Sequence, residues 1–177
     1  MPASYFQSFN PVILVCLTPV FTSLWSFLSK RNCEPSSPVK QALGLMLLAI
    51  GYVVIAFGVR HVEPGVKVSM IWLTSLYLLH TMGELSLSPI GLSMVNKLSP
   101  ARFSSLMMGV WYLSTATANK FAGALSSYYP EEGVAKSFLG YPVTDLFDFF
   151  MLFAMMSAAA SVILLSLIHI SEPTRPY

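Results

Sequence analysis

Charge is what this chain has least of. Of its 177 residues only 10% are Asp, Glu, Lys or Arg, ten basic against eight acidic, where a soluble domain carries about 25%. So few charges cannot cover a globule of this size with a solvated shell, which argues against an ordinary soluble enzyme and a disordered tail. The formal net charge of +2 is too small for a phosphate-reading surface, so no nucleic-acid partner is expected. Cysteine is sparse too. Cys16 sits in an apolar run and Cys33 in a basic loop, with no C-x-x-C pair and no zinc spacing; they read as a buried structural thiol and a free loop thiol. No serine lies in a G-x-S-x-G context, no H-E-x-x-H motif occurs, and no glycine loop could cradle a phosphate. An enzyme, including an intramembrane hydrolase, is therefore not expected, and neither a metal nor a cofactor is called for.

What fills the chain is hydrocarbon. Hydrophobic residues make up 55%, and the mean hydropathy is +0.66. Residues 11–29, 41–59, 103–119 and 149–168 contain no charge, and residues 68–96 are broken only by Glu84 and His80. About twenty residues at 1.5 Å rise cross a bilayer core, so the pattern predicts an all-α polytopic membrane protein with five transmembrane helices. A lipid-facing barrel would need charge every few residues on its lumen side. Loops punctuate the runs at 32–38, at 61–65 (His-Val-Glu-Pro-Gly), at Ser99-Pro100 and in the acidic stretch 129–148. One set of loops carries Lys30, Arg31, Lys40, Lys97 and Arg102; the other carries Arg60, Lys67 and Lys136. That excess places the first set in the cytoplasm and residue 1 outside. The first seven residues carry no basic n-region and no cleavage site follows, so the start reads as an interior piece of something longer.

Glu84 is the sharpest chemical signal. It stands fourteen residues after Met70 and thirteen before Lys97, and an acid at the centre of a span costs about 2.5–3.5 kcal/mol. It should face a bundle interior or an aqueous cavity; the alternative is a structural Glu hydrogen-bonded to a neighbouring helix. His80 and Ser88 lie four residues to either side on the same helix face. Pro89 removes a backbone donor between Gly83 and Gly91, as expected of a kinked helix lining a binding cavity. His80 could pair with Glu84 as a proton relay, or be a satisfied interior histidine. Trp111 is about nine residues into its span, roughly 13 Å, too deep for an interfacial belt. The polar stretch 114–119 after it could line a wet pocket, with Gly109, Ala118, Ala122 and Gly123 forming a small-residue helix contact. Lys120 would snorkel to the interface. Asn10, before Pro11, is either a helix start or a pocket amide.

These residues resemble a known family. The run from Ser4 to Pro11 (S-Y-F-Q-S-F-N-P) is similar to the F-Q-S-x-N-P start of helix eight in proton-dependent oligopeptide transporters. The run from Gly83 to Ser93 resembles their helix-ten signature G-E-x-x-x-S-P-x-G-L-S, and the run from Met107 to Ser114 their helix-eleven block M-M-G-x-W-F-L-S. The likeness spans residues 1–164 in order. It implies a major facilitator fold, of which this chain would supply helices eight to twelve, in a bacterial inner membrane. It implies symport of di- and tripeptides with protons, Glu84 meeting the peptide α-ammonium and Asn10 its amino end. Trp111, Ser114 and Thr115 would line side-chain space. The family's helix-one E-x-x-E-R-F-x-Y-Y motif, the cations for the peptide carboxylate and the protonatable helix-seven glutamate are not in this sequence. The expectation is a partial C-terminal bundle that needs the N-terminal half as partner and does not transport alone. A non-transporting five-helix membrane interaction protein is the other reading. Residues 165–175 (L-S-L-I-H-I-S-E-P-T-R) resemble the in-frame translation of a transposon adapter used in sequencing libraries. The tail 165–177 is therefore expected to be non-native, and its residues receive no role.

Overall fold

The computed structural model describes residues 4–60, 68–130, 136–138 and 140–171. Five long helices dominate: α1 (Ser4–Lys30), α2 (Ser37–Val59), α3 (Met70–Leu98), α4 (Ser104–Ser126) and α5 (Leu146–Ser171). A short 3₁₀ turn, Ala101–Phe103, leads into α4, and two strands, β1 (Lys136–Phe138) and β2 (Tyr141–Val143), precede α5. Each helix takes in nearly all of one of the five apolar runs, extended at its ends by a few polar or charged residues. The loop at 61–65 lies outside the described residues, as do Glu131 and Glu132 of the acidic stretch.

Among the described residues, three helices can cross a membrane by length and apolarity alone: Asn10–Lys30, Ser37–Val59 and Leu146–Ile170. The other two fall short of that criterion because α3 carries Glu84 and Lys97 among its hydroxyls and α4 carries the polar stretch ending in Lys120. At 29 and 23 residues both are long enough to span.

Local chemistry sets the ends. Asn32 adopts φ 53°, and the amides of Asn32 and Cys33 return to the carbonyls of Ser29 and Leu28, both at 3.1 Å. This is a Schellman stop with Asn in the left-handed position that a side chain able to bond locally tolerates. α2 then starts behind extended Ser36 with a proline in its first turn, where the missing N–H costs nothing. One expectation is corrected. Asn10-Pro11 does not open α1, which begins at Ser4 and runs through Pro11 and Pro19; a membrane helix tolerates proline where neighbouring groups can serve the freed carbonyl. α3 also runs through Pro89.

α2 is the hub, packed against α3 on one side and α5 on the other, while α1 and α4 both lean on α3. The α2–α3 seam is built on glycine at a seven-residue interval: Gly44, Gly51 and Gly58. A Cβ on Gly44 would stand 2.9 Å from the Gly83 carbonyl oxygen, and one on Gly83 would stand 2.8 Å from that of Gly44. Backbone meets backbone there, with no room for a methyl group. His80 fills the notch at Gly51 and Trp72 the notch at Gly58. A seven-residue repeat is the period of left-handed coiled packing. Among the described residues the small-residue stretch of α4 meets no helix: a Cβ at Gly109 or Gly123 would find nothing within 4 Å.

On the other side of α2, Ser161 of α5 is fully buried and donates its hydroxyl to the Ala42 carbonyl at 2.9 Å. The β1–β2 hairpin pairs Phe138 with Tyr141 and turns at Gly140, φ +85°. It drops Val143 into an apolar cluster with Phe149 and Leu152, closed by Tyr128, Phe138 and Phe153. Asp148 accepts from both the amide and the hydroxyl of Thr144, at 3.2 and 2.6 Å, which fixes the start of α5.

Candidate functional site

Four residues of α3, Thr81, Glu84, Ser88 and Gly91, follow one another at intervals of three, four and three. That spacing sets them on one stripe of the helix. At 1.5 Å per residue, Thr81 lies about 4.5 Å below Glu84 along the axis and Gly91 about 10.5 Å above it. The neighbouring helices attach at the two ends of this stripe.

At the lower end α1 is held by a polar contact. Thr81, fully buried, places its hydroxyl oxygen 2.7 Å from Asn10 Oδ1 and 2.7 Å from the Tyr77 carbonyl oxygen. At the upper end α4 is held by a ring. Gly91 is buried beneath Trp111: a Cβ there would collide with the indole Cη2 and stand 3.1 Å from Gln41 Nε2 of α2. Trp111 is half-buried, so one edge stays open.

Between these clamps Glu84 and Ser88 are exposed. Among the described residues no hydrogen bond or ion pair joins the Glu84 carboxylate to another side chain. The expected interior is thus not supplied by this chain: α1 and α4 flank the carboxylate, but none of the five helices covers it. Ser114 and Thr115 are also exposed, and each donates its hydroxyl back to the Trp111 carbonyl, at 2.7 and 3.1 Å. Such back-bonding satisfies a hydroxyl in lipid and leaves its lone pairs outward.

His80 goes elsewhere. It faces α2, edge-on to Tyr52 with ring centroids 4.5 Å apart, and Tyr52 in turn stacks on Phe153 of α5 at 5.4 Å. Its Nε2 is buried without a hydrogen-bond partner. Asn10, Glu84 and Trp111 are therefore gathered along one stripe, whereas His80 and Glu84 point to different neighbours and share no hydrogen bond. Thr81 escaped the sequence reading of the site, and Gly91 was read only as a flank of Pro89, not as the seat of the Trp111 ring. Thr81 left no signal, since a threonine in an apolar run is ordinary; Gly91 had one, as a glycine seven residues from the mid-span acid.

A second polar assembly sits at the loop end of α1. The Lys40 ammonium, buried at the start of α2, pairs with Glu34 and lies 4.6 Å from the Trp25 ring centroid. Hydrogen bonds from Lys40 first and Ser29 second hold the Glu34 carboxyl below the usual carboxylate range, with a smaller pull from Lys97. The influence of Lys97 puts the 30–40 and 97–102 loops at the same end of the bundle. An open groove of about 550 Å³ runs beside this pair, lined by Thr22, Trp25 and Lys30 among others. It does not include the Glu84 stripe. Among the described residues no cluster of His, Cys, Asp and Glu could hold a metal ion.

Comparison with known proteins gives a consistent picture. The family model described as POT family matches residues 1–138. The chain is 37% identical over 130 residues to "Peptide transporter YePEPT" of Yersinia enterocolitica, covering 72% of this chain and 25% of that protein. It is 40% identical over 114 residues to a "Di-/tripeptide transporter" of Lactococcus lactis, covering 64% and 22%. Among solved structures, a mutant of peptide transporter POT in complex with alafosfalin superposes with TM-score 0.79 at 34% identity, over 96% of this chain and 32% of that one. A POT family transporter in complex with 5-aminolevulinic acid gives TM-score 0.76 at 26% identity, over 94% and 31%. The chain spans about a quarter of the length of the curated relatives it matches.

Proposed function

The chain belongs to the POT family of membrane transporters, and from that premise we propose that it forms one wall of a proton-coupled di- and tripeptide symport site, with Glu84 receiving the peptide α-ammonium. The observation that carries this reading is the state of Glu84. A carboxylate halfway along a 29-residue membrane helix is exposed, unpaired among the described residues, and bracketed by two helices anchored on its own stripe. A charge placed at such cost awaits a counter-ion, and a peptide ammonium is a compact donor of the right sign. Asn10, one turn below, adds a polar contact for the amino end. The open edge of Trp111, with Ser114 and Thr115 behind it, offers apolar and hydroxyl surface to side chains.

The rest of the transporter is part of the proposal. Groups for the peptide carboxylate and for coupling the proton would come from sequence outside this chain. Alternating access requires two halves rocking about one site. The setting would be a bacterial inner membrane, in keeping with the bacterial source of the relatives. The only coupling ion invoked is the proton.

Glu84→Gln in the full-length transporter carrying this segment tests the reading. A hydrogen bond to a charged group contributes about 1.5–3 kcal/mol, so peptide affinity should fall roughly ten- to hundredfold. Unchanged affinity and transport would refute the ammonium contact.

A further inference from the structure

The buried Thr81 hydroxyl has one proton and two oxygen neighbours. Asn10 Oδ1 and the Tyr77 carbonyl oxygen both stand 2.7 Å from Thr81 Oγ1. That is a hydrogen-bonding distance, and a hydroxyl can donate only once while accepting twice. With an oxygen on each side, one contact would have no hydrogen in it and would be repulsive in a water-free position. An amide's nitrogen and oxygen are nearly the same shape, and which one faces a partner is decided by the hydrogen-bond network. Turning the Asn10 amide over removes the conflict. Thr81 then donates to Tyr77 O, the usual i−4 back-bond, and accepts from Asn10 Nδ2. Two contacts now carry two protons, and Oδ1 becomes the free branch of a half-buried side chain.

We propose that Thr81 is the positioning residue of this site: by committing its proton to the Tyr77 carbonyl, it fixes the Asn10 amide with nitrogen inward and presents Oδ1 as a second acceptor, one turn from Glu84. The unit is then selective for a donor with several protons. A primary ammonium can serve the carboxylate and the amide oxygen together. A hydroxyl or a secondary amide has one proton and can serve only one of them. Without Thr81 the amide is free to rotate, and its NH₂ would present a donor to a donor. This rests on the assignment of Glu84 and Asn10 to the peptide amino end.

The test compares Thr81→Val, which keeps the shape and loses the hydroxyl, with Thr81→Ser, which keeps the hydroxyl, in the full-length transporter carrying this segment. Uptake of dialanine is normalised to folded protein in the membrane. The competing probe is the des-amino analogue, N-propionyl-alanine, which lacks the ammonium. Thr81→Val should raise the KM for dialanine about tenfold with kcat within twofold, and should leave inhibition by the des-amino analogue unchanged. Thr81→Ser should restore the KM. If Thr81→Val folds poorly, Thr81→Ala is read by the same ratio of dialanine to analogue affinity. An unchanged ratio in the hydroxyl-free variant, or a loss that Thr81→Ser fails to rescue, overturns the proposal. Glu84→Gln run in parallel separates the two readings: if it too leaves the ratio intact, the ammonium assignment itself fails, whereas if it alone collapses the ratio, only the role of Thr81 is lost.

Discussion

Gly83 and Gly109 are the same residue type in two helices of one membrane protein, with opposite expected costs. A methyl at Gly83 must enter the space of the Gly44 carbonyl, 2.8 Å away, and a backbone cannot swing aside. Overpacking of this kind costs about 1–3 kcal/mol. A methyl at Gly109 meets nothing and replaces the poorer helix former, which is worth about 0.5–1 kcal/mol in the favourable direction. Thermal unfolding in detergent should therefore show Gly83→Ala melting several degrees below the parent and Gly109→Ala at or above it. Equal melting temperatures would contradict the close approach of α2 and α3. Both glycines are visible in the sequence, but only contact distinguishes a seam from a surface. For the same reason the small-residue pattern of α4 could not name its partner: spacing shows that two residues share a face, not which neighbour the face has.

At the scale of elements, the junction of α1 and α2 is the place where pH should act. The Lys40 and Ser29 hydrogen bonds depress the Glu34 carboxyl below its ordinary value of 4.5. A depressed carboxyl contributes stability that is present above that value and is lost as pH falls through the lowered folded value. The corner should thus stay docked at neutral pH and loosen only in acid below about 4.5. Lys40 also lies on the Trp25 ring, so Trp25 emission, followed with Trp72 and Trp111 replaced by Phe, should change with acidification. The change should vanish in Glu34→Gln, and a midpoint above 4.5 would contradict the pairing. Helices were the most legible elements, because an uncharged run of about twenty residues has few alternatives in lipid. The hairpin was not: Lys136–Phe138 and Tyr141–Val143 are too short for a period to register. What pins them is the remote burial of Val143 against Phe149 and Leu152. The site was half legible. An acid in the middle of a span announces itself by its cost, so Glu84 stood out, and Trp111 by its depth. Thr81 became visible only when α1 and α3 met across seventy-one positions of sequence.

For the molecule as a whole, the uneven covering of its helices is the governing fact. α2 is buried along much of its length, while the spanning part of α1 has no buried stretch and α4 buries only Leu125. Val12, Val15, Leu24 and Phe27 of α1 and Leu106, Val110, Leu113 and Phe121 of α4 are all more than two-fifths exposed. Lipid can cover those side chains at no cost, but it cannot solvate Glu84, which lies between them on α3. Vesicles containing only this chain are expected to show no proton-driven dipeptide uptake above empty vesicles. Uptake there would refute the need for further walls.

The notches on α2 recur every seven residues, whereas a straight helix drifts about 20° for each such repeat. From Gly44 to Gly58 the seam therefore slews by some 40°, and α3 can stay seated only by winding about its partner. The compass bearing of the lone carboxylate thus follows the pitch of that winding as well as the Gly83–Gly44 backbone contact beside it. A single added methyl at the far end of the track, where Trp72 docks on Gly58, would be felt as a turn of the charge toward or away from whatever it greets.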